Sequence, residues 1–69
     1  MNELDIIVNG ETRRVPGPST IADLLHHLDL DPRTVVVELN RQIVRRPHLN
    51  EIALASGDSI ELVHFVGGG

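Results

Sequence analysis

Leu4-Asp5-Ile6-Ile7-Val8-Asn9-Gly10-Glu11-Thr12-Arg13-Arg14-Val15 is the stretch that decides the fold. Leu4, Ile6 and Val8 alternate with Asp5, Ile7 and Asn9, the period of a strand with one buried face. Asn9-Gly10 supplies the positive φ angles of a two-residue hairpin turn, so Glu11–Val15 returns as a second strand. Val15-Pro16-Gly17-Pro18 is expected to stop that strand, because Pro has no N–H for the ladder and Gly-Pro punctuates.

After this hairpin, Ser19 or Thr20 caps a helix. Thr20 with Asp23 three residues on approximates a capping box, and an acidic first turn suits the positive end of the helix dipole. Ile21, Leu24, Leu25 and Leu28 make one apolar stripe, and the helix ends before Pro32. Val35, Val37 and Leu39 alternate with Val36 and Glu38 in a third strand, and Asn40-Arg41-Gln42 turns into a short strand at Ile43-Val44 that Pro47 closes. An irregular stretch with Leu49, Ile52 and Leu54 leads to a Ser56-Gly57-Asp58 turn and a last strand, Ser59–Phe65. One amphipathic helix and about five strands pack most simply as a mixed sheet with the helix across one face. This α+β order is that of the β-grasp, or ubiquitin-like, fold. Residues 1–66 are expected to form that domain and Gly67–Gly69 a flexible C-terminal tail.

The 69 residues contain one aromatic, Phe65, so the core must be built from Leu, Ile and Val. A chain near the lower size limit for a disulfide-free core has little surface left to wall a deep cleft, which argues against a self-sufficient enzyme. The absence of Cys excludes a disulfide framework, a thiolate zinc site and a thiol carried by the chain. Glu3 and Asp5 near the start, and an apolar run no longer than Ile6-Ile7-Val8, point away from a signal peptide or membrane span and toward the cytoplasm. A formal charge of −4, with every cation an Arg, argues against nucleic acid as a partner and suits a basic docking surface on another protein.

The remaining polar features read as ordinary surface. His26 and His27 are adjacent on the helix and point to different sides; with His48 and His64 elsewhere, no metal site is expected. Alternation puts His64 on the Ile60 and Leu62 side, near the end of the core. Arg13-Arg14 and Arg45-Arg46 read as solvated faces or surface ion pairs. Asp29 and Asp31 read as a helix end and a turn before Pro32.

Gly67-Gly68-Gly69 follows the last strand. Without Cβ atoms it is a slim strip of backbone that can thread into a narrow site on a partner, with its terminal carboxylate as the reactive group. The run Ser56-Gly57-Asp58-Ser59-Ile60-Glu61-Leu62-Val63-His64-Phe65-Val66-Gly67-Gly68-Gly69 strongly resembles the C-terminus of the ThiS family, the sulfur carrier proteins of thiamine biosynthesis. Val36–Val44 is similar to the strand, Asn turn and short strand of that family, and Asn9-Gly10-Glu11 and Thr20-Ile21-x-x-Leu24-Leu25 match more loosely.

The resemblance implies that an adenylating enzyme of the ubiquitin-activating type uses ATP and Mg²⁺ to activate the carboxylate of Gly69. A persulfide donor such as a cysteine desulfurase then leaves a thiocarboxylate, and thiazole synthase takes its sulfur for the thiazole ring of thiamine. The chain would be a carrier and co-substrate, not an enzyme, and would bind no cofactor or metal itself; it has no Lys and so no Gly-rich Lys phosphate loop. A related carrier is the main rival, either the small subunit of molybdopterin synthase or a carrier for tRNA or protein thiolation or cysteine synthesis. A rival of another class is a non-covalent β-grasp interaction module.

If Ile60 and Leu62 face the helix, Val63 and Phe65 face away from it. In a β-grasp sheet the last strand lies between the first and third, which brings Ile7 and Val36 onto the same outer face. Together with Val66 these apolar residues are the candidate partner-binding set of a domain that is a monomer when free.

Overall fold

The computed structural model describes residues 2–65, so Val66, Gly67, Gly68 and Gly69, with the expected domain end and tail, lie outside it. Five strands and one helix occur in the order β1 (Asn2–Val8), β2 (Glu11–Gly17), α1 (Ile21–His27), β3 (Val35–Leu39), β4 (Gln42–Val44) and β5 (Ser59–His64). Short 3₁₀ turns at Pro32–Thr34 and Arg46–His48 precede β3 and follow β4. The sheet runs β2-β1-β5-β3-β4, with β1 and β5 parallel and the other pairs antiparallel. This is the β-grasp arrangement that the sequence predicts.

The hairpin closes on the Val8–Glu11 pair with Asn9 at φ 50° and Gly10 at φ 84°. The second strand does not stop at Val15; it continues through Pro16 to Gly17. Pro16 lies opposite Glu3 on the edge of the sheet. Counted from the closing pair, this is a non-hydrogen-bonded position, so the missing N–H faces solvent and costs no ladder bond.

All of the first free N–H groups of α1 find partners. Asp23 N donates to Thr20 Oγ1 at 3.1 Å while Thr20 N donates to Asp23 Oδ2 at 2.8 Å, a complete capping box. Ile21 N and Ala22 N donate to the carbonyls of Ile52 and Leu49, which sews the irregular 49–54 stretch to the helix start. At the other end Leu28 is the C-cap and Asp29 takes φ 59°. Leu30 N bonds Leu25 O at 2.9 Å and Asp29 N bonds His26 O at 3.1 Å, the paired bonds of a Schellman motif.

Ile6, Val8, Val15, Val35, Val37 and Ile60 form the helix-facing side of the core, against Ile21, Leu24 and Leu25, with Leu49 and Leu54 closing the end. Leu28, Leu39, Ile52 and Leu62 are half-buried around this cluster. His64 does follow Ile60 and Leu62 by alternation and pairs with the buried Val35, but as the last residue of β5 its own side chain is exposed.

Candidate functional site

β5 lies between β1 and β3, so the chain leaves the sheet toward its tail from a central position. Phe65 N donates to Thr34 O at 3.1 Å, which fixes the last described residue against the 3₁₀ turn ahead of β3. The side of β5 turned away from the helix carries Ser59, Glu61 and Val63, and Val63 pairs directly with Val36 of β3. Ile7, Val36, Val63 and Phe65 are 37, 38, 56 and 45% exposed, large values for apolar side chains on a sheet whose other face is the core.

These four residues do not form one cluster. Val36 and Val63 are register partners and Phe65 follows on the same strand direction. Ile7 pairs with Ser59 at the far end of β5, and Glu61 intervenes between it and Val63. Roughly 13 Å of strand separates the two levels. Val66 and the glycines lie outside the described residues.

Ile43 joins the tail-side cluster without having been singled out by its sequence context. It pairs with Glu38 on the outer face and is 68% exposed. Alternation over a three-residue strand leaves the choice between Ile43 and Val44 open until the β3 register settles it. Beside Phe65, Val36 and Ile43 a shallow groove is bordered by Arg33, Arg45 and Arg46. The guanidinium of Arg33 is held by Asp31, with Nη2 at 2.9 Å and Nε at 3.1 Å from its carboxylate oxygens. That contact, with the Arg33 backbone N–H, lowers the Asp31 carboxyl from 3.8 to about 2. Among the described residues no carboxylate pairs with Arg45 or Arg46.

Elsewhere on the outer face, Arg14 bonds Asp5 at 2.9 Å and lies 3.7 Å from Glu3, and Asp5 in particular raises its pKa. His48 contacts Glu51 at 3.1 Å, while His26, His27 and His64 are exposed. Among the described residues no three His, Asp or Glu side chains gather as a metal site, and no helix is long and apolar enough to cross a membrane.

A profile of the ThiS family matches residues 6–69, from the first strand through the last glycine. The chain belongs to the ThiS family. Over 50 residues, 72% of this chain and 76% of the relative, it is 46% identical to the sulfur carrier protein ThiS of Bacillus subtilis. It superimposes on the crystal structure of the thiamine biosynthesis protein ThiS from Geobacter metallireducens with a TM-score of 0.81 at 30% identity, covering 96% of this chain and 100% of that one. It is also 38% identical over 96% of its length to a thiazole synthase of Paramagnetospirillum magneticum, of which it spans only about a fifth, 20%. As a ThiS-type domain the chain is a sulfur carrier of thiamine biosynthesis and not itself a catalyst.

Proposed function

We propose that the sulfur is carried as a thiocarboxylate on Gly69 and that every bond-changing step takes place in a partner's active site. A carboxylate is a poor electrophile, since its charge is delocalised and its leaving group would be oxide. Attack of a Gly69 oxygen on the α-phosphorus of ATP, with Mg²⁺ held by an adenylating enzyme of the ubiquitin-activating type, expels pyrophosphate and installs AMP as a good leaving group. The outer sulfur of a persulfide, supplied by a cysteine desulfurase or similar donor, displaces AMP. A second thiol then cleaves the resulting acyl disulfide and releases the thiocarboxylate.

The chain contributes a fold, a docking face and a slim tail. The single observation that carries this proposal is that the family match continues through Gly67, Gly68 and Gly69, the segment the chemistry needs. We take the sulfur acceptor to be thiazole synthase, because a protein of that name carries a stretch similar to nearly the whole of this chain. Val36, Val63, Phe65 and Val66, with Ile7 farther away, are the proposed contact residues. Neither ATP nor metal is assigned to the chain itself.

Intact mass of the protein isolated from its native cells tests the central step. A fraction heavier by the exchange of one oxygen for one sulfur, mapping to the terminal glycine and lost on alkylation and hydrolysis, is the expected result. A terminal glycine that stays a plain carboxylate after incubation with ATP, the adenylating enzyme and a persulfide donor removes the proposal.

A further inference from the structure

We propose that the groove beside Phe65 is a second, electrostatic half of the docking surface, shaped for an extended segment of the adenylating partner that presents a carboxylate next to an apolar side chain. The inference rests on the carrier function proposed above and adds to it the chemistry of the surface that recognises the partner.

Val36, Ile43 and Phe65 give the groove an apolar floor open to solvent, and Arg33, Arg45 and Arg46 border it. Half of the arginines of an acidic chain therefore converge on one place, although Arg33 is separated from the Arg45-Arg46 pair by the whole of β3 and β4. Arg33 is neutralised by its two-pronged contact with Asp31. Arg45 and Arg46 have no carboxylate partner among the described residues, so the groove keeps a local positive charge on a chain of net charge −4. Two guanidiniums outside any direct ion pair, of which Arg46 also feels the charge of Asp31, fit one or two carboxylates by paired N–H donors. They do not fit a polyanion such as nucleic acid, which the overall negative charge of the chain repels and which has no use for an apolar floor. A lipid surface would be repelled for the same reason.

The groove is also continuous with the base of the tail. Phe65 forms part of its floor and is fixed by the bond from its N–H to Thr34 O. A partner segment seated there sets the direction in which Val66–Gly69 departs. The charge contact supplies orientation and association rate, and the apolar floor supplies adhesion.

The test uses the full ¹⁵N-labelled chain and the adenylating enzyme of the same organism, first without ATP. Resonances of Ile43, Arg45, Arg46 and Phe65 should shift on complex formation. Arg45→Glu and Arg46→Glu should each raise Kd roughly tenfold and flatten its salt dependence, with thermal unfolding unchanged. Arg13→Glu, the same charge change on the edge strand β2, should alter Kd less than about twofold. Complexes that form and are adenylated, but with the groove resonances and the arginine variants unaffected, overturn the groove and leave the carrier function standing. Loss of the groove signals on removing Gly67–Gly69 from the free chain assigns the groove to the chain's own tail, and concentration-dependent shifts of the free chain assign it to a second copy; either overturns the proposal. If the enzyme neither binds nor adenylates the wild-type chain, the groove proposal falls together with the carrier function.

Discussion

The side-chain amide of Asn9 holds both backbone groups of Leu62, accepting from its N–H at 2.8 Å and donating to its carbonyl at 3.2 Å. β1 pairs with β5 at Ile7–Ser59 and Val8–Ile60 before it turns away into the hairpin. The amide of Asn9 takes the place of the next residue of β1 and carries the parallel ladder one step closer to the tail. Asn40 does similar work from the other side, accepting from Ser59 N at 2.9 Å through Oδ1. The strand that delivers the tail is thus fastened by a turn asparagine on each flank.

Asn9→Ala should therefore destabilise the domain by about 1–3 kcal/mol, from two lost bonds and from a Cβ-bearing residue without local side-chain bonding at φ 50°. Asn9→Gly keeps the backbone comfortable and loses only the bonds, so it should cost less. Urea unfolding of the three proteins measures the difference, and amide exchange at Leu62 should quicken in both variants. Coincident unfolding curves for wild type and Asn9→Ala would show that the amide contacts contribute nothing.

Much of the fold is legible in local chemistry, and the failures have local reasons too. Asn9-Gly10 fixes the hairpin, and the Ile21, Leu24, Leu25 stripe with the Thr20–Asp23 box fixes the helix, because each rests on residues near in sequence. The end of β2 is not legible, since Pro16 is excluded from a strand only when its N–H is needed, and that depends on which strand forms the edge. Exposure of Val63 and Phe65 follows from alternation, but the distance of Ile7 from them depends on the β1–β5 register. The arginine groove is invisible in sequence, because Arg33 and the Arg45-Arg46 doublet are brought together only by the two 3₁₀ turns around β3 and β4.

Acid should weaken the fold through Asp31 and Asp23. The Arg33 contact sets the Asp31 carboxyl at about 2 against an ordinary 3.8, and the capping contact with Thr20, above all the hydrogen bond from its backbone N–H, lowers that of Asp23. A carboxyl depressed in the folded state binds its proton first in the unfolded chain. Its stabilisation is complete above the unfolded value, about 4, and drains away as the pH falls through the folded value, which for Asp31 is about 2. Unfolding midpoints measured across that interval should fall with pH, and Asp31→Asn should flatten part of the slope. An unaltered slope in Asp31→Asn would assign the acid sensitivity to other carboxyls.

Asp29→Gly should stabilise the domain. Asp29 is a non-glycine residue at φ 59° and places a negative charge at the C-terminal end of α1, where the helix dipole is also negative. Glycine at this Schellman position removes both costs, and about 0.5–1 kcal/mol of added stability is the expected gain, set against the greater freedom of glycine in the unfolded chain. A lower unfolding midpoint in Asp29→Gly would mean that the unfolded-state term dominates.

The two ends of the outer face should differ in what they do for partner binding. Val63 and Val36 are directly opposed next to the tail base, whereas Ile7 sits two outward positions back along β5, beyond Glu61. Three glycines offer a partner no side chains, so the affinity proposed for the adenylating enzyme should come from the folded surface nearest to them. Val63→Asp removes apolar contact and buries an unpaired carboxylate in the complex, which should weaken binding by roughly 1–3 kcal/mol while the free domain stays folded, since Val63 is 56% exposed. Ile7→Asp should weaken it by less than about 0.5 kcal/mol. Calorimetric titration of both variants against the same enzyme decides the matter: equal losses would extend the contact along the whole of β5, and a larger loss at Ile7 would move the docking face away from the tail.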